Sequence, residues 1–128
     1  MEEERSFGSS PLVAADKVQG RDVFNRQGDK LGSVKDIYLD KISGQVMFVT
    51  LAHGGVLGAG AKVHPLPWEV LDYKPDRHGF VVDLDKQALE SSPAYAVDEL
   101  EENTGWGAKV RDFYKLTPME RYGGAPPV

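Results

Sequence analysis

Gln27-Gly28-Asp29-Lys30-Leu31-Gly32, Asp40-Lys41-Ile42-Ser43-Gly44 and Gly54-Gly55-Val56-Leu57-Gly58 punctuate the stretch from Arg21 to Pro93, and short apolar runs fill the intervals between them. Glycine reaches left-handed backbone without a Cβ clash, and Asp, Asn or Ser side chains bond the local backbone. Turn chemistry recurring between apolar runs of strand length is a β signature.

Gly20 to Phe24 reads as a first short strand that ends at Asn25-Arg26-Gln27-Gly28, with Gly28 suited to positive φ. Leu31 to Leu39 is the second. Its parity breaks, because Ile37 and Leu39 share one face and Val34 belongs to the other, which predicts a corner or bulge near Lys35-Asp36. Asp40 to Gly44 predicts a hairpin, with Asp40 accepting backbone N–H bonds and Gly44 left-handed. In Val46 to Ala52 both Met47, Val49, Leu51 and Val46, Phe48, Thr50 are largely apolar sets, so this strand is expected to be central or covered on its outside. Pro67 favours an edge or a strand start before Trp68. Phe80, Val82 and Leu84 alternate with Val81, Asp83 and Asp85, the pattern of a half-buried strand. Lys86 to Ser91 predicts a short turn or helix that caps the fold before Pro93.

The order of these turns and strands, through Pro67-Trp68 to the last alternating strand, resembles the PRC-barrel family. That is the small β-barrel of the photosynthetic reaction-centre H subunit, of the ribosome maturation factor that docks on the small subunit, and of many stand-alone bacterial and archaeal proteins. The resemblance covers a little over half of the chain. It implies an all-β fold, a small PRC-type barrel of about five to six antiparallel strands over residues 17–93. It also implies a docking module, and it names neither a reaction nor a specific partner. A similar glycine-rich stretch precedes the Pro-Trp strand in the family, so the resemblance accounts for Gly54 to Lys62 as a mark of the fold.

The flanks read differently. Residues 1–16 form an acidic tail with too little periodic apolar content to fold alone. Residues 94–128 form a C-terminal extension in which Asp98, Glu99, Glu101 and Glu102 make an acidic spacer. After it, Trp106, Val110, Phe113 and Tyr114 fall at i, i+4, i+7 and i+8, the stripe of a short amphipathic helix near 105–115. Asn103 or Thr104 is available as its N-cap, and Pro118 marks its stop. That helix either packs on its own barrel or docks on a partner or second copy.

Composition is that of one compact domain: 128 residues, 41% hydrophobic and 27% charged. There is no cysteine, which removes disulfide, thiolate-metal and cysteine-nucleophile chemistry. No apolar run approaches the roughly 20 residues of a membrane helix, and Met1-Glu2-Glu3-Glu4 is the wrong start for a signal peptide, so a cytoplasmic protein is the expectation. The net charge is −5, and Arg21, Arg26, Lys30 and Lys35 are interleaved with Asp22, Asp29 and Asp36, so the cation cluster that phosphate binding requires is missing.

Candidate chemistry is sparse. His53, His64 and His78 lack the close spacings that put two metal ligands on one face, and no metal or cofactor is expected. Gly54 to Lys62 matches neither phosphate-loop pattern and runs on into extended Val63-His64-Pro65. The serines lack a nucleophile-elbow context, so no catalytic residue is assigned and no enzyme is expected. Asp83 and Asp85, at i and i+2 of the expected strand, read as a solvated face. The expected function is a non-enzymatic protein-binding or assembly module, with a protein partner or a homodimer. Candidate contact residues are Val56, Leu57, Trp68, Trp106, Val110, Phe113 and Tyr114. The alternatives from the resemblance are an RNA-processing or ribosome-associated factor and reaction-centre-H-like support of electron transfer. A small-ligand protein using the glycine-rich loop is a further one.

Overall fold

The computed structural model describes residues 12–53, 62–74, 79–102 and 105–117. Most of the acidic tail, the loop carrying Val56 and Leu57, His78, the proposed caps Asn103 and Thr104, and Pro118 lie outside the described residues.

Seven strands make one mixed sheet: β1 (Asp22–Phe24), β2 (Lys30–Leu39), β3 (Val46–Ala52), β4 (Lys62–Pro67), β5 (Asp72–Lys74), β6 (Gly79–Val81) and β7 (Tyr95–Ala96), in the order β5-β6-β1-β2-β3-β4-β7. Among the described residues four short helices accompany it: α1 (Ala15–Val18), α2 (Lys86–Ser91), α3 (Val97–Glu102) and α4 (Trp106–Phe113), with a 3₁₀ turn at Trp68–Val70. The strand count exceeds the expectation by the small β5 and β7, and one pairing is parallel: β1 lies beside β6 with Val23 opposite Phe80. No hairpin joins these two strands, so nothing local forces them antiparallel.

The ends β5 and β7 do not pair, so the sheet stays open. It nevertheless curls. Strands lie about 4.8 Å apart, so flat neighbours would carry β6 and β4 well away from each other. Instead Val23, Val34, Val49, Leu66 and Phe80, from five strands, meet in one buried cluster with Leu89 of α2. Trp68, the residue after β4, stands with its ring 6.0 Å from Phe80 of β6, although β1, β2 and β3 separate their strands.

The corner predicted from broken parity is present. The β2–β3 register slips between Val34 and Asp36, and again between Tyr38 and Leu39. At the first slip the Asp36 N–H donates to the Thr50 hydroxyl at 3.0 Å, and Thr50 is fully buried. A side chain thus takes up an amide at the point where the ladder is interrupted. The β2–β3 hairpin closes as expected: Asp40 accepts from the Ile42 amide (2.9 Å) and the Ser43 hydroxyl (3.0 Å), while Gly44 has φ of 78°. Gly28 is likewise left-handed.

Three expectations are corrected. Residues 80–85 are not one alternating strand: β6 ends at Val81, and Phe80, Val81 and Val82 are all buried, so no wet face alternates with a dry one. Asp85 leaves the sheet and caps α2, accepting from the Ala88 amide at 2.7 Å, so it shares no strand face with Asp83. Pro67 ends β4, and of its two expected settings, an edge or a strand start, the edge holds. Pro65 and Pro67, which cannot donate to a ladder, occupy the part of β4 beyond its short contact with β7. Finally, the acidic spacer is helical: α3 turns Leu100 into the core and leaves Asp98, Glu99, Glu101 and Glu102 exposed.

A second buried cluster explains the two apolar faces of β3. Met47, Phe48, Val63, Leu100, Trp106 and Val110 pack together beneath α3 and α4, while Val49 and Leu51 belong to the first cluster.

Candidate functional site

The aromatic stripe of α4 is occupied by its own sheet. Trp106 is 8% exposed; its indole N–H donates to the Leu100 carbonyl at 3.1 Å, and its ring meets Phe48 edge-on at 4.8 Å and Tyr38 at 6.1 Å. Val110 is fully buried, and Phe113 and Tyr114 are partly buried with their rings 5.0 Å apart. Of the two readings of this helix, the geometry is that of a cover. Trp68 is partly buried against Phe80, a position that closes the curl of the sheet. Val56 and Leu57 lie outside the described residues.

Two devices that the sequence does not advertise hold the cover in place. Arg111, 5% exposed, grips the half-exposed Glu69 with both terminal nitrogens at 3.2 and 3.0 Å, and its Nε donates to the Thr117 carbonyl at 2.6 Å. Burial pushes the Glu69 carboxyl up, but the hydrogen bonds and charge of Arg111, with help from the backbone, outweigh it and hold the group below its ordinary range. The helix then ends in a paired closure: the Leu116 amide donates to Arg111 O at 2.8 Å and the Lys115 amide to Asp112 O at 3.0 Å, with Lys115 at φ 60°.

A buried polar relay lies behind β4. His64 Nδ1 is 2.8 Å from the Ser92 hydroxyl, and that hydroxyl donates its one proton to the Leu89 carbonyl at 2.7 Å. The imidazole must therefore be the donor to Ser92, which fixes its tautomer. Burial, with the nearby His53 ring at 5.8 Å, lowers the His64 pKa. A serine whose proton is committed to a carbonyl, and which accepts from histidine, is wired opposite to an activated nucleophile. The Tyr114 hydroxyl is buried beside Ser92 without completing a well-formed hydrogen bond, and burial raises its pKa strongly.

Among the described residues the surface carries an apolar crevice and a larger cleft. The crevice, of about 90 Å³, lies at the outer face of β2 and β3, lined by Tyr38, Leu39, Met47, Phe48, Leu100 and Trp106. Beside it the hairpin presents Leu39, 54% exposed, and Ile42, 80% exposed. The cleft, of about 480 Å³, lies between the start of β2, the end of β3 and α2; Lys30, Ser33, His53, Lys86 and Glu90 stand around it. Sequence reading passed over both. Ile42 was a detectable signal, being a large apolar residue inside a turn of polar neighbours, whereas the cleft joins segments far apart in sequence.

Among the described residues no group of three or more His, Asp or Glu side chains comes together as a metal site, and no helix is long and apolar enough to cross a membrane. The curated proteins contain no match to the chain. A family model described as PRC-barrel domain matches residues 11–89.

Proposed function

Because the chain belongs to the PRC-barrel family, we propose that it is a non-catalytic assembly module whose docking surface is the β2–β3 hairpin, and that the surface receives a second copy of the chain. The observation that carries this reading is the exposure of Ile42 and Leu39 next to the apolar crevice over Phe48 and Trp106. Among the described residues, only Leu12 is a comparably exposed large apolar side chain, and it lies on a different segment. An apolar patch of this kind is its own complement about a two-fold axis, since no charge pairing has to be matched. The patch sits on the part of the hairpin that Asp40 rigidifies through its bonds to Ile42 and Ser43, so little order is lost on docking.

The aromatic stripe of α4 does not serve as the interface in this reading, because Trp106 and Val110 are already buried. The test is light scattering coupled to size exclusion on the full chain and on Ile42→Asp. A dimer of the 14.1 kDa chain that becomes monomeric in the variant supports the proposal. A monomer for the unaltered chain across the concentration range removes self-association. Point substitution is the right tool here, since deleting α4 would uncover Met47, Phe48 and Val63 and create an artificial apolar face.

A further inference from the structure

The cleft between β2, β3 and α2 has the build of a ligand site independent of the hairpin surface. Its floor is apolar: Leu31, Ala52 and Leu89 are all buried side chains that line it. Its back wall is bare backbone at Gly32, where an added Cβ would collide with the Ala52 carbonyl, so the strand pair is closer there than any side chain permits. Its rim is polar and biased toward cations. Among the lining residues Lys30 and Lys86 stand with one carboxylate, Glu90, and Ser33 and His53 add hydrogen-bonding groups. Lys30 also contacts Asp22 at 3.2 Å, but both side chains are about half exposed, where such a pair is weak and exchangeable. Lys86 has no ion-pair partner among the described residues.

Lys86 is thus a cation left without an ion pair among the described residues, in a chain whose net charge is −5. The volume, about 480 Å³, lies in the range of small-molecule sites. The two cations are lysines, point charges without the flat fork that favours bidentate phosphate recognition, and they border an apolar floor. We infer that the cleft binds a small organic monocarboxylate, with its apolar body on Leu31, Ala52 and Leu89 and its carboxylate between Lys30 and Lys86.

The probe is benzoate, titrated into isotope-labelled full chain while the backbone amides are followed by NMR, with benzyl alcohol and inorganic phosphate as comparators. Benzoate is expected to shift the amides of Gly32, Ser33, Ala52, His53 and Leu89. Benzyl alcohol, lacking the charge, should bind about tenfold more weakly or worse, and Lys86→Gln should weaken benzoate by a similar factor. Glu90→Gln, which removes the one carboxylate that lines the cleft, should tighten it. Both substituted residues are exposed, so the fold is preserved. The inference is overturned if benzoate moves none of these amides at millimolar concentration, if the two variants leave its affinity unchanged, or if phosphate binds more tightly than benzoate.

Discussion

Arg111 and Glu69 meet through two parallel hydrogen bonds across 42 residues of sequence, joining the covering helix α4 to the 3₁₀ turn that carries Trp68. The pair ties the outer cover to the closure of the curled sheet, so one substitution tests both. Lysine keeps the charge but cannot make the fork or reach the Thr117 carbonyl in the same way. Arg111→Lys is expected to cost about 1.5–3 kcal/mol, the range for hydrogen bonds to charged groups. Urea unfolding of the single variants and of the double variant with Glu69→Gln checks this; a coupling near zero would assign the loss to packing instead.

Acid should weaken the fold through His64. Its folded pKa lies below the unfolded value of about 6.5, so the unfolded chain binds the extra proton first as pH falls. The contribution of neutral His64 is therefore fully present above pH 6.5 and is lost as pH drops from there through the folded value. Denaturant midpoints measured between pH 8 and pH 5 should fall over that window. His64→Gln should flatten the slope; an unchanged slope would assign the acid sensitivity elsewhere.

Lys115 occupies the left-handed position that ends α4, with φ of 60°, where glycine is the usual residue. Lys115→Gly should raise stability by about 0.5–1 kcal/mol, because the relief of Cβ strain exceeds the added freedom of the unfolded chain. Thermal unfolding reads the change, and a drop in midpoint would contradict the argument.

Gly32→Ala should do the reverse. The new methyl would collide with the Ala52 carbonyl oxygen, which belongs to the backbone of β3 and cannot rotate away. A loss of about 1–3 kcal/mol, typical of overpacking, is expected in chemical denaturation. An unaffected midpoint would mean that the β2–β3 ladder is far more pliable than its burial implies.

How far the sequence foretells this molecule depends on the range over which each signal acts. The Asp40–Gly44 hairpin and the bulge at Lys35-Asp36 were legible because parity and turn chemistry are local. The two apolar faces of β3 correctly implied an outer cover, and the spacing of Trp106 and Val110 correctly marked the helix that provides it. The parallel contact of β1 with β6 left no trace, since nothing adjacent in sequence distinguishes a strand's distant neighbour. Leu100 was hidden by the carboxylates around it: a single apolar residue in an acidic run is enough for one helical turn to find a core. The cleft and the Arg111–Glu69 pair were illegible for the same reason, each being assembled from segments that meet only after the sheet has curled.

The packing of Trp106 on Phe48 also sets an order of events during synthesis. Strands β1 to β4 leave the ribosome well before α4 does, so for an interval the growing chain presents Met47, Phe48 and Val63 with nothing over them. The window closes only when Trp106 and Val110 arrive. The time taken to synthesise residues 68–110 thus sets how long a newborn copy stays adhesive toward its neighbours.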